Sequence, residues 1–435
     1  MKRVLIFLLI FIYSCENDHR NILVKKDLID KLEGFWLGQS IANWTGIVTE
    51  MDKIGFSFNN TNEIFYNRND WGKPDLPNIW SSESKWGNID FKFAKKDSIW
   101  GSDDDTDIEY MYQELLLENN TLLLSETQIR DGWLKHIKKE EENYLWVSNQ
   151  KAYDLMNSGI LPPETSSPNL NPHYEMIDAQ LTTEIFGLYS PLNPEYALLM
   201  SSLPIRTVAR ENAEWISQFY IIMHSLSYFD KDKIEIKDKI FSMANEARKI
   251  LPDASYSAKM YDFVKEKYQS GVPWEAARDS LHKRYQISQE DNYFWSTKDE
   301  SCNGCFAAGI NFGASLISLF YGEGDFKETI KIASLCGWDS DNPASTWGGL
   351  LGFIYGKEEI KKLFNEQMSD TYNIHRTRMN FNNNGIDNFN NMALKSFKII
   401  AFFCLSSTAA ASANLMDASS SPSAEMTLAL LSLSA

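Results

Sequence analysis

The stretch "LIDKLEGFWLGQSIANWTG", residues 28–46, sets Gly34, Gly38, Ala42 and Gly46 at four-residue intervals. Residues four apart lie on one face of a helix. Each glycine inside a helix costs about 1 kcal/mol relative to alanine, so small residues held in register need a packing reason. The spacing predicts a helix whose bare face is met closely by a second helix, with Phe35, Trp36 and Trp44 filling the flanks.

Outward from this stretch the chain reads as mostly helical. "DTDIEYMYQELLLEN", "ENAEWISQFYIIMHSLSYF", "FAAGINFGASLISLFYG", "FKETIKIASLCGW" and "PASTWGGLLGFIYG" all carry helical spacing or unbroken apolar faces. Residues 193–228 read as two helices broken near Pro204, and 233–250 and 257–268 as further helices. Pro162, Pro163, Pro168 and Pro172 mark residues 151–175 as a long loop. Residues 51–100 mix Asn, Gly, Pro and Trp with short alternating runs, so loops and a few short strands or hairpins are expected there. The fold class is all-α, a single large helical domain over residues 28–400. After Ile400 the chain has no Lys or Arg and is rich in Ser and Ala, which predicts a low-complexity, weakly ordered tail over 401–435.

The start, "MKRVLIFLLIFIYSC", is basic and then apolar over a run too short to span as an ordinary transmembrane helix. Its end, Ile12-Tyr13-Ser14-Cys15, resembles a bacterial lipobox. That resemblance implies a signal peptide over residues 1–15, lipid on Cys15, a tether over 16–27, and a place in the cell envelope as a periplasmic or outer-membrane lipoprotein. Cys302 and Cys305 form a C-x-x-C, open to a disulfide or to a packed turn. The formal net charge of -17 argues against nucleic acid as a partner.

Two acidic stretches break the helical pattern. Asp103, Asp104 and Asp105 run together, with Thr106, Asp107 and Glu109 close behind, just before a helix. Asp339 and Asp341 lie two apart in "CGWDSDNPASTWGGLLG", where Asn342 suits a helix cap and Pro343 a first helical position. Taken singly, the triple aspartate reads as a solvated loop and the second turn as a cap. If the two face each other they form a carboxylate cage, and oxygen-only ligands suit Mg²⁺, Mn²⁺ or Ca²⁺. A calcium loop over Asp103, Asp105, Asp107 and Glu114 fails at its sixth position, which is Ile108 where the turn needs glycine.

These segments together resemble the ADP-ribosylglycohydrolase family. That family opens with G-x-x-x-G-x-x-x-G-D-x-x-G-x-x-x-E, and Gly34, Gly38, Ala42, Asn43, Gly46 and Glu50 stand at those places. Its T-D-D-T is matched by Asp103 to Thr106, and its G-x-D-x-D-T by Gly337 to Asn342. The resemblance implies two Mg²⁺ ions, with Mn²⁺ as an alternative. The implied metal ligands are Asp103, Asp104, Asp105, Asp339, Asp341 and Asn342. The implied catalytic residues are Glu50, Asp104 and Asp341, with Glu50 at the metal or the attacking water. Asp103 and Asn342 replace threonines, and Asn43 replaces an aspartate, so metal preference is open to change. The expected activity is hydrolysis of a glycosidic bond at the anomeric carbon of a small-molecule or protein-linked ADP-ribosyl or related ribosyl substrate. Two other classes compete with it. One is a glycan-binding surface lipoprotein without catalysis, using Trp36, Trp44, Trp71, Trp80 and Trp86 as a platform. The other is a calcium-binding structural lipoprotein.

Overall fold

The computed structural model describes residues 25–55, 64–75, 87–139, 143–294 and 304–414, with side chains as far as 404. The expected signal peptide, Cys15, Trp80, Trp86 and Cys302 lie outside these residues. Cys305 is disulfide-bonded. Among the described residues no helix is long and apolar enough to cross a membrane.

Helix α1 covers residues 25–46, so it begins inside the expected tether. α2 (Asp104–Glu118), α3 (Glu126–His136), α4 (Val147–Asn157), α5 (Ile185–Leu188), α6 (Pro194–Val208) and α7 (Glu211–Ser225) follow. Then come α8 (Ile236–Ala247), α9 (Tyr256–Gln269), α10 (Trp274–His282), α11 (Ala308–Gly322), α12 (Phe326–Cys336), α13 (Asp341–Tyr355), α14 (Lys357–Phe364) and α15 (Phe389–Asn414). α11 is buried on nearly every face, and α7, α9, α12 and α13 pack around it. A helix that is apolar all round has to be covered in this way.

The small-residue face of α1 meets α13, which carries glycines of its own. A methyl group on Gly38 would stand 2.2 Å from the Gly348 carbonyl oxygen, and one on Gly34 would stand 2.2 Å from that of Gly352. The relation is mutual: a methyl group on Gly352 would lie 2.2 Å from Gly34 O, and one on Gly348 would lie 2.3 Å from Ala42 Cβ. The two backbones therefore touch along a seam. Trp36 and Phe35 are buried beside it. At the end of the seam a methyl group on Gly46 would lie 2.3 Å from Asp341 Cα, so the last turn of α1 rests on the first turn of α13.

A small sheet, order β1-β2-β3, joins β1 (Trp100–Gly101), β2 (Thr371–Asn373) and β3 (Ile386–Asn388). β1 runs parallel to β2, and β2 antiparallel to β3, with Trp100 opposite Tyr372 and Tyr372 opposite Asp387. Only the first strand falls at the edge of 51–100. Within that stretch the described residues hold an antiparallel pairing of 72–75 with 87–89, which includes the bridge Pro74 to Asn88, and a bridge from Lys95 to Met368. Ser102 N donates to Asn373 O at 3.1 Å, so the sheet anchors the chain just before Asp103.

Three local expectations are corrected. The first seven residues of the expected loop 151–175 belong to α4, and the prolines follow that helix. Pro204 lies inside α6, and the break comes at Ala209, five residues on. Proline near a helix end forfeits one bond without ending the helix at once. The break in composition at Ile400 falls inside α15, which runs to Asn414. Phe403 and Cys404 are buried, with the Phe403 ring 5.1 Å from that of Tyr196. The helix therefore continues past Ile400, where the composition changes.

Candidate active site

Both acidic turns open into one cavity of about 470 Å³. Glu50, Asp103, Asp104, Asp105, Asp339 and Asp341 all line it. Ligand atoms of Glu50, Asp339 and Asp341 lie within 4.8 Å of one another, and so do those of Asp103, Asp105 and Asp341. Asp341 belongs to both groups.

Local chemistry holds each turn. Asp103 is the N-cap of α2, its side chain accepting from Asp105 N at 3.1 Å, an arrangement that stabilises a helix start by about 1 kcal/mol. Asp104, Asp105 and Asp107 occupy the first turn, where the helix dipole favours negative charge. The second turn bends through Gly337 at φ +98° and Trp338 at φ +61°. A buried tryptophan in the left-handed region is strained. Met51 N donates to Trp338 O at 2.7 Å and Asn311 Oδ1 accepts from Asp339 N at 3.1 Å, so the bend is held from two sides. Glu50 follows the end of α1 and reaches Asp339 and Asp341 because Gly46 permits the close contact below.

The expected cap at this turn does not form. α13 starts at Asp341, with Ser340 as an N-cap whose side chain makes no capping bond and donates instead to Gly46 O at 3.0 Å. Asn342 does not offer an oxygen to the cavity either. Its Nδ2 donates to Asp105 Oδ1 at 3.0 Å and its Oδ1 accepts from Gln180 Nε2 at 3.2 Å. In this arrangement it orients a carboxylate. Asn43 does similar work, with Nδ2 3.4 Å from both Asp105 Oδ2 and Asp341 Oδ2.

The electrostatics are those of a cluster short of positive charge. Burial, then Asp104 and Asp103, push Glu50 up to about 8. Burial and Asp104 push Asp103 up to about 7. Burial, then neighbouring carboxylates, hold Asp105, Asp339 and Asp341 well above the ordinary range. Asp341 Oδ1 is buried with no hydrogen-bond partner. Two overlapping carboxylate groups, hard oxygen donors and an orphaned buried oxygen fit divalent cations.

Several residues of the cavity have no signal in the sequence. Arg378 reaches it from the loop after β2, and its Nε lies 2.9 Å from Asp107 Oδ2 with both side chains fully buried. The N–H is not aimed at that oxygen, so the contact is an ion pair and not a hydrogen bond. Burial wins at Asp107, which rises to about 7 despite Arg378. Asp178 caps α4 from outside, accepting from Ser148 Oγ at 2.7 Å and Asn149 N at 2.9 Å. Tyr144, Trp146, Phe306 and His375 supply ring surface, and Trp146 is 51% exposed where the cavity meets solvent. Of the tryptophans proposed as a platform, the three that are described lie elsewhere. Trp36 is buried, Trp44 donates to Gly101 O at 2.9 Å, Trp71 packs on Phe91, and none of the three lines the cavity. The calcium loop is ruled out because Asp105, Asp107 and Glu114 all belong to α2.

The ADP-ribosylglycohydrolase family model matches residues 24–387, most of the chain. The chain belongs to the ADP-ribosylglycohydrolase family. A solved structure of an "ADP-ribosylglycohydrolase-related protein complex" is similar at 15% identity, covering 86% of this chain and 99% of that one, with a TM-score of 0.45. No curated protein matches the chain. Family membership makes this an ADP-ribosylglycohydrolase-type hydrolase, and its acidic clusters are able to hold metal ions.

Proposed function

We propose that the protein is a Mg²⁺-dependent glycohydrolase acting at the anomeric carbon of an ADP-ribosyl or related ribosyl group, anchored in the cell envelope through lipid on Cys15. The observation that supports this most is the meeting of both acidic turns and Glu50 in one cavity, in a chain of this family. Asp103, Asp104, Asp105, Asp339 and Asp341 would hold the cations, which when bound supply positive charge that orients sugar hydroxyls and water. Glu50 has the position to orient the attacking water and take its proton. The water oxygen then bonds to the anomeric carbon as the glycosidic bond breaks, and the proton taken by Glu50 is returned to the departing group. Nearby carboxylates favour the positive charge that develops on the sugar in an oxocarbenium-like transition state. Asn43 and Asn342 hold Asp105 in place for this.

The test is a panel of ADP-ribosyl and nucleoside substrates, incubated with the soluble domain in Mg²⁺ and in EDTA. Free sugar should appear with Mg²⁺ alone. Ligand binding without release across the panel, in Mg²⁺ and in Mn²⁺, would favour the binding lipoprotein over the enzyme. For the anchor, mass spectrometry of membrane fractions should find lipidated Cys15 at the N-terminus, and an intact Met1 there would reject it.

A further inference from the structure

One helical turn below the acidic turns lies a second pair of buried carboxyl groups. Glu109 is four residues past Asp105 on α2, and Glu184 immediately precedes α5. Both are nearly inaccessible. The two side chains interact directly, and two buried carboxyl groups that meet without a cation are held together by one shared proton. The surrounding donors decide where it sits. Gln39 Nε2 donates to Glu109 Oε2 at 2.6 Å and Ile185 N donates to Glu109 Oε1 at 2.8 Å. Both oxygens of Glu109 thus face N–H groups that can only give. Glu184 Oε1 accepts from Thr346 Oγ1 at 2.5 Å, and Glu184 Oε2 has no partner if the group is written as a carboxylate.

We infer that Glu184 is a neutral carboxylic acid donating to an anionic Glu109, and that this one-proton pair positions the helices that carry the acidic turns. The partners explain the second part. Gln39 lies one turn before Asn43 on α1, Glu109 one turn after Asp105 on α2, and Thr346 five residues after Asp341 on α13. The pair therefore ties together the three helices whose ends meet at the cavity, one layer away from it. A shift between α2 and α13 would change how Asp105 and Asp341 face each other. The positioning half rests on the metal-site reading above. The proton assignment does not.

The experiment uses substitutions that tell donor from acceptor. Glu184→Gln keeps an N–H toward Glu109 and an oxygen toward Thr346, so it should change Tm by no more than about 2 °C. Glu109→Gln sets an amide N–H₂ against donors and should lower Tm on the order of 5 °C or more. Equal effects, or a larger loss from Glu184→Gln, overturn the assignment. At neutral pH, the infrared difference spectrum of wild type minus Glu184→Gln should show the loss of one buried carboxylic-acid C=O band; no loss of such a band also overturns it. Should Glu109→Gln fail to fold, the infrared result and the mildness of Glu184→Gln still decide. For positioning, Thr346→Val should weaken Mg²⁺ binding about tenfold by calorimetry and Thr346→Ser should restore it. Unchanged affinity in Thr346→Val, or no rescue by serine, rejects that role. Absence of Mg²⁺ binding in the wild type would reject the metal reading and with it the positioning half, leaving the Tm and infrared comparison to judge the pair.

Discussion

The α1–α13 seam and the turn at its end are built on opposite terms. Along the seam, Gly34 and Gly38 meet Gly352 and Gly348 backbone to backbone, and every contact is close and uncharged. At the turn, carboxylates of Glu50, Asp103, Asp105, Asp339 and Asp341 crowd within ligand distance, and each favours the protonated form. Gly46 belongs to both regions, since it touches Asp341. The difference teaches where stability and activity come from. Tight packing holds the helix ends at a fixed separation, and repulsion between the charges they carry is tolerated because the packing does not yield.

The sharpest way to break this comparison is to put bulk into the seam. Gly38→Ala adds a methyl group 2.2 Å from a backbone oxygen, which no side-chain rotation relieves. It should cost on the order of 3 kcal/mol or more, read from denaturant midpoints, and should weaken Mg²⁺ binding as well because the turn moves with the helix. A loss below about 0.5 kcal/mol would show that the seam has slack.

Asp341→Asn acts on the turn alone. Asp341 is shared by both carboxylate groups, so its loss should abolish turnover and lower Mg²⁺ affinity more than tenfold by calorimetry. Without metal the variant should be as stable as the wild type or more so, because one carboxylate no longer repels the others. Equal Mg²⁺ affinity and stoichiometry in both proteins would reject the site.

The pH dependence of the metal-free protein follows with its sign. Glu50 is raised to about 8 and Asp103 to about 7, against ordinary values of 4.5 and 3.8. The folded state therefore binds more protons than the unfolded chain between about pH 4 and pH 8. Stability from these groups is present in full at the acid end and is lost as pH rises through 7 to 8. Mg²⁺ would replace those protons, so the Tm difference between Mg²⁺ and EDTA should widen steadily from about pH 5 to pH 8. A constant difference would mean that protons and cations do not compete for the cavity.

Much of this plan is legible in the chain. The four-residue glycine spacing gives α1 and its bare face, and both acidic turns show as like charges that no local structure requires. What is not legible reaches the cavity by chain reversal. Arg378 arrives on a loop fixed by β2, Asp178 by capping a distant helix, and Glu184 by sitting one layer down. No local periodicity marks any of them, since their neighbours in space are far off in sequence. The hydrogen bonding of Asn342 is not legible for a different reason. Its position is right, but its amide is claimed on both sides by Asp105 and Gln180, and hydrogen-bond direction is a property of the assembled site.

The smallest expected effect separates the cavity's mouth from both regions. Trp146 is 51% exposed and precedes α4 as an N-cap whose side chain makes no capping bond. Its ring meets Tyr144 edge-on at 6.2 Å, and the helix start is held by Asp178 instead. Nothing in the fold depends on the ring, so Trp146→Ala should change stability by no more than about 0.5 kcal/mol. A large exposed ring at a cavity opening offers a face on which a base or sugar can stack, and such stacking contributes about 1–3 kcal/mol per base. With a base-bearing substrate, KM should rise about tenfold while kcat changes little, as expected of a ring that stacks on the base alike in substrate and transition state. With a substrate that lacks a base, KM should stay near that of the wild type. Equal KM for both proteins on both substrates would show that Trp146 makes no substrate contact, and would leave Tyr144, Phe306 and His375 as the rings to vary next.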